Sequence, residues 1–112
     1  MKKIEFMFRP IKIGSMEVKN RLVMAPMVTN LSSPKGEVTP ALIRYFIARA
    51  RGGVGLIITG DTTVSSTALY HPNMLRFTDD RFIPGWRDLV RAVHDHGAKI
   101  APQLVHPSFN AR

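Results

Sequence analysis

Three segments carry residue types suited to chemistry, because each follows directly on a short apolar run: Ala25-Pro26-Met27-Val28-Thr29, Thr59-Gly60-Asp61-Thr62 and Gln103-Leu104-Val105-His106. The first two join small side chains to backbone that a ligand can approach, so that N–H and C=O groups become available to it. The third adds a carboxamide and an imidazole. Gln103 both donates and accepts, which suits a planar ring presenting a carbonyl beside an N–H. A glutamine that satisfies loop backbone is the alternative. His106 is read either as a residue facing a substrate or as an ordinary loop histidine.

Other polar groups suit structural roles better. The cluster Gly52-Gly53-Val54-Gly55 closes a helix and opens a strand, whereas a dinucleotide-binding glycine turn follows a strand and opens a helix. His94 and His96 are two apart on a helix and share no face, so no metal site is expected. His71 stands beside Pro72 in a long loop with no partner that the sequence identifies. Asp79 and Asp80 precede a helix and suit its positive end.

The elements that must position these segments follow from periodicity and turn residues. Ile11 to Val18 alternates apolar and polar residues around Gly14-Ser15, which predicts a hairpin at about 11–18. Short apolar runs predict buried strands at about 22–25, 54–59 and 99–104. Thr39-Pro40 reads as an N-cap followed by proline at the first helical position. It opens a helix at about 40–51, in which Ile43, Phe46, Ile47 and Ala50 recur at helical spacing. A second helix at about 84–96 carries the stripe Trp86, Leu89, Val90 and Val93 and stops at Gly97. A long loop from Gly60 to about Ile83 lies between, beyond the usual connection length and therefore either functional or partly structured by itself.

Buried strands alternating with amphipathic helices define an α/β fold with a parallel sheet and right-handed crossovers. Ligands bind such sheets at the carboxyl ends of the strands, which places all three candidate segments on one face. Three strands do not bury a parallel sheet, and an eight-stranded βα barrel needs about 250 residues. A doubly wound sheet also usually needs more strands than this, so the expectation is the opening portion of a larger α/β protein of either architecture, with residues 1–112 as one partial domain that is marginal as an isolated unit.

Composition narrows the function classes. The formal charge of +8 raises a nucleic-acid reading, but Lys and Arg are scattered over separate segments without an aromatic-and-basic motif. With no cysteine, the 112 residues hold no disulfide, thiolate nucleophile or iron–sulfur ligand. Glu5, Arg9 and Pro10 interrupt the apolar run that follows Met1-Lys2-Lys3, so no signal peptide or membrane span is expected and the default location is cytoplasmic.

The chain resembles the N-terminal part of the old yellow enzyme family of FMN-dependent oxidoreductases, including its longer dienoyl-CoA reductase and trimethylamine dehydrogenase branch. Four ordered segments carry the resemblance: Phe8 to Gly14, Lys19 to Met27, Tyr45 to Thr59, and Val93 to Lys99. The resemblance implies a TIM barrel whose hairpin plugs the amino-terminal mouth, with FMN at the carboxyl face. It implies that Ala25, Pro26, Met27 and Val28, with Gly60 and Gln103, line the flavin, and that NADH or NADPH reduces it for hydride transfer to an electron-poor alkene or related acceptor.

Two positions depart from the family pattern. Val28 stands where many relatives carry a threonine, cysteine or histidine near flavin O4, and valine donates no hydrogen bond. After Gln103-Leu104-Val105-His106 the family's Gly-Arg pair is displaced, which leaves the roles of His106 and Arg112 open. The resemblance places the proton donor, the other catalytic groups and the phosphate-binding loops beyond Arg112. A 4Fe-4S cluster and FAD enter only if the whole protein belongs to the longer branch. The implied partners are a small-molecule substrate, the remainder of the barrel or a partner chain, and further copies in an oligomer. A noncatalytic fragment that completes a barrel with a partner chain is the alternative, ahead of a small nucleic-acid-binding domain.

Overall fold

The structure, a computed structural model, describes residues 2–107. The chain begins with a short helix α1 (Lys2–Met7), followed by an antiparallel hairpin of β1 (Ile11–Ile13) and β2 (Met16–Val18). Gly14 takes a φ of 59°, the left-handed conformation that lets a two-residue turn close. Helix α1 lies outside the sequence expectation, since six residues without an N-cap give little periodicity to read. It is tied down from elsewhere: the Arg21 amide donates to the Met7 carbonyl at 2.8 Å and the Arg21 guanidinium lies 4.0 Å from the Phe6 ring centre.

The remaining elements alternate: β3 (Val23–Met24), α2 (Pro40–Arg51), β4 (Leu56–Thr63), β5 (Leu75–Arg76), a 3-10 turn (Asp80–Phe82), α3 (Ile83–His94) and β6 (Lys99–Val105). Thr39 caps α2, its Oγ1 accepting from the Leu42 amide at 3.2 Å, with Pro40 at the first helical position. Asp79 caps the 3-10 turn in the same way, accepting from the Arg81 amide. Strand β4 is central and pairs in parallel with β3 and β5 along one side and with β6 along the other.

The core forms where both long helices cover one face of this sheet. Leu42, Phe46 and Ala50 of α2 meet Ile57 of β4 and Trp86, Leu89 and Val93 of α3. The buried stripe of α2 therefore runs through Leu42, while Ile43 packs at its edge. Met24, Ile57 and Ile100 are register partners on the helix side. Their neighbours Val23, Leu56 and Lys99 share the opposite face, where Val23 is 52% exposed. That face has no second layer among the described residues.

The expected loop from Gly60 to about Ile83 is partly structured, and its start is corrected. Strand β4 runs on to Thr63, β5 adds a short parallel partner, and the 3-10 turn precedes α3. The polar run Thr59-Gly60-Asp61-Thr62-Thr63 hides this strand from a hydrophobicity reading. Its backbone pairs with β6, and the buried hydroxyls of Thr59 and Thr62 reach the Gly60 carbonyl at 2.9 and 3.2 Å. Helix α3 starts one residue earlier and ends two earlier than expected, and β3 is two residues long. No described helix is long and apolar enough to cross a membrane.

Candidate functional site

The three segments singled out in the sequence meet at the carboxyl ends of β3, β4 and β6. Ile58 pairs with Ala101, but the next partners are Asp61 and Gln103, so β4 carries one extra residue there. This bulge at Thr59-Gly60 bends β4 where the segment after β3 crosses it. A Cβ on Gly60 would stand 2.5 Å from the Met27 carbonyl oxygen and 3.2 Å from the Val28 Cα. Glycine is required because two backbones touch, and that contact lays residues 25–28 across the strand end.

The outcome is a shallow platform. Ala25 is exposed, Pro26 is half-buried, and Met27 and Val28 are 54% and 52% exposed. Gly60 is buried beneath them as support. Gln103 is exposed at the neighbouring position of β6, and its carboxamide forms no hydrogen bond to another described residue. His106 lies one residue past β6, exposed, and is not drawn into this group. Arg112 falls outside the described residues. His94 is exposed, His96 Nδ1 lies 2.8 Å from the Ala92 carbonyl, and among the described residues no three His, Asp or Glu side chains gather for a metal.

One feature was not visible in the sequence. His71 has a partner: its Nε2 lies 3.1 and 3.2 Å from the two carboxylate oxygens of Asp61, and its Nδ1 lies 2.8 Å from the Pro72 carbonyl. The side chains are 7% exposed for Asp61 and 18% for His71. Val28 and Gly60 line the same narrow cleft as this pair. The only sequence signals were an aspartate just after an apolar strand and a histidine ten residues on, too far apart to pair by local geometry.

Two asparagines hold the loops around the cleft. Asn30 and Asn73 both take φ of 53°, a left-handed conformation that asparagine tolerates better than most residues. Asn73 donates to the Asn30 carbonyl at 3.3 Å, and the Ser32 hydroxyl donates to the Asn73 carbonyl. Farther along, the Arg76 amide donates to the Gly36 carbonyl at 3.2 Å. The loop after β3 is thus laced to the loop between β4 and β5.

An exposed apolar strip beside an unengaged carboxamide suits one face and one polar edge of a flat heteroaromatic cofactor. The comparisons point the same way. The model of the NADH:flavin oxidoreductase / NADH oxidase family matches residues 6–112, and the chain belongs to that family. It is 42% identical over 106 residues to an NADH oxidase of Thermoanaerobacter brockii, which covers 89% of this chain and 16% of that protein. It is 39% identical to an NADPH dehydrogenase of Bacillus subtilis, over 94% of this chain and 31% of that protein.

Solved structures agree with the sequence matches. Old Yellow Enzyme from Pichia sp. AKU4542 superposes with a TM-score of 0.83 at 32% identity, over 90% of this chain and 26% of that one. A 2-naphthoyl-CoA reductase in complex with 2-naphthoyl-CoA gives 0.90 at 28% identity, over 96% and 16%. The α/β sheet of this chain therefore corresponds to one part of an old yellow enzyme fold. The chain spans between 16% and 31% of the length of these four relatives.

Proposed function

We propose that this chain forms the opening β/α segment of an FMN-dependent oxidoreductase barrel and supplies one wall of its cofactor site. The carrying observation is the contact of Gly60 with Met27 and Val28 beside the Asp61 to Gln103 pairing, which brings three strand ends into one platform. Ala25, Pro26 and Met27 would hold a ring face, Val28 would stand at its edge, and Gln103 would pair with a carbonyl and N–H of the ring. Gly60 acts by keeping those backbones in contact. Bound there, FMN would accept hydride from NADH or NADPH and deliver it to an electron-poor alkene or related acceptor.

The residues of this chain orient and shield rather than react. Met27 would exclude water from the side of the ring it covers, and Gln103 would set the rotation of the ring in its plane. The uncovered sheet face, with Val23 52% exposed, supports the further reading that additional strands close the barrel over it. Those strands belong either to the same polypeptide or to a partner chain. A cytoplasmic location and a small-molecule substrate are part of the same proposal.

The test is reconstitution of a barrel-length protein carrying this segment with FMN. A yellow protein whose visible absorbance bleaches anaerobically with NADH or NADPH, and returns on adding an α,β-unsaturated carbonyl compound, is the expected result. A folded barrel that stays colourless in excess FMN would overturn it.

A further inference from the structure

Asp61 and His71 form an almost enclosed charge pair in the cleft that Val28 and Gly60 also line. A neutral imidazole has one N–H donor and one bare acceptor nitrogen. Here both ring nitrogens face acceptors, the Pro72 carbonyl at 2.8 Å and the Asp61 carboxylate at 3.1 and 3.2 Å. The Pro72 carbonyl can only accept, so Nδ1 donates to it, and one further proton is shared between Nε2 and Asp61. Imidazolium with carboxylate and imidazole with carboxylic acid both leave the pair with no net charge.

Enclosure makes that neutrality matter. With its side chain 7% exposed, an unpaired Asp61 carboxylate would be a poorly solvated negative charge. Val28 and Gly60 share the cleft walls with the pair, so any imbalance would act on whatever rests on the platform. The side chain of Val28, which lines this cleft, offers no hydrogen bond.

We infer that Asp61 and His71 are a positioning pair that keeps the cleft beside the flavin electrically neutral and so sets the midpoint potential of FMN, an inference that rests on the proposed cofactor site. His71 supplies the positive half and, through Pro72, anchors the loop that carries it. Asp61 supplies the negative half from the bulged end of β4. Neither residue exchanges a proton or hydride with substrate. A staple of purely structural kind would lose stability whichever partner was removed, with no reason for the potential to move in opposite directions.

The experiment uses the barrel-length protein loaded with FMN and measures its midpoint potential by dye-coupled reduction. His71→Gln, which leaves the carboxylate unbalanced, is expected to lower the potential. Asp61→Asn, which leaves the imidazolium unbalanced, is expected to raise it, and the double variant is expected to return to the parent value. Single variants that shift the potential in the same direction, or leave it unmoved, would overturn the inference. Nitrogen-15 spectra of the unaltered protein provide a second measurement should a variant fail to fold: both His71 ring nitrogens are expected to be protonated at neutral pH, and one bare nitrogen overturns the charge assignment. A parent protein that takes up no FMN removes the proposed function and this inference with it, whereas FMN bound at unshifted potentials removes this inference alone.

Discussion

Asn20 holds the turn between α2 and β4 by donating from Nδ2 to the Gly53 carbonyl at 2.7 Å, while its Oδ1 accepts from the Leu22 amide at 3.1 Å. One side chain, 6% exposed, thereby links the end of the hairpin, the start of β3 and the glycine turn that opens β4. A Cβ on Gly55 would lie 2.5 Å from that Oδ1 and 2.9 Å from Val18 Cγ1, so Gly55 is small to leave room for the asparagine.

Asn20→Ala leaves two half-buried backbone groups without their partner and is expected to cost about 1–3 kcal/mol of stability. Gly55→Ala is expected to cost a similar amount, since backbone and the asparagine must move apart. Urea unfolding followed by circular dichroism checks both. Variants whose midpoints match the parent would show that the bridge contributes nothing.

Gly60→Ala places a methyl against the Met27 carbonyl at 2.5 Å and the Met27 carbonyl carbon at 3.0 Å. Because both opposing atoms are backbone, the segment carrying Met27 and Val28 must lift from β4. The expected result is FMN affinity lowered by about tenfold or more, as lost site geometry of about 1.4 kcal/mol implies. Fluorescence titration with FMN measures it, and unchanged affinity would exclude Gly60 as support for the platform.

Gln103→Leu tests the polar edge of the site without disturbing the core, because Gln103 is exposed and unengaged among the described residues. Thermal stability should stay within about 0.5 kcal/mol of the parent. FMN affinity should fall by about threefold to tenfold, the equivalent of one net hydrogen bond. Equal affinities would remove Gln103 from the cofactor wall.

Val28→Thr adds a hydroxyl at a half-exposed platform position. A donor there would stabilise the electron-rich reduced flavin, so the FMN potential should rise. Dye-coupled potentiometry on the barrel-length protein decides the matter, and a potential that is unchanged or lower would remove Val28 from the edge of the ring.

Trp86→Phe keeps the apolar body of the side chain but deletes the Nε1 hydrogen bond to the Arg76 carbonyl at 3.1 Å. The ring stacking on Phe77, with centroids 4.8 Å apart, is retained in kind. A loss of about 1–2 kcal/mol is expected. Trp86→Ala, which empties a core position only 4% exposed, should cost about 3–5 kcal/mol. Comparing the two urea midpoints separates the hydrogen bond from the packing.

Much of the element order was legible because it rests on local rules. Thr39-Pro40 opens α2 where capping chemistry requires, Gly14 turns the hairpin, and Gly53 at φ 104° closes the helix before β4. The three strand ends were legible as candidate sites for the same reason: each follows an apolar run. Less legible was the strand from Gly60 to Thr63, whose threonines look like loop residues until their hydroxyls are seen to bond within the bulge.

By itself the sequence determined the alternation of strands and helices, the positions of their caps, and the placing of Ala25, Met27 and Gln103 near the carboxyl ends of strands, since all of these follow from spacing along one segment. The tertiary structure alone decided that Gly60 lies under Met27 and that Asp61 meets His71. Those contacts depend on one extra residue in β4 relative to β6 and on a loop folding back over the strand end. Neither event leaves a periodic trace in the chain, because both are set by packing between segments that the sequence keeps apart.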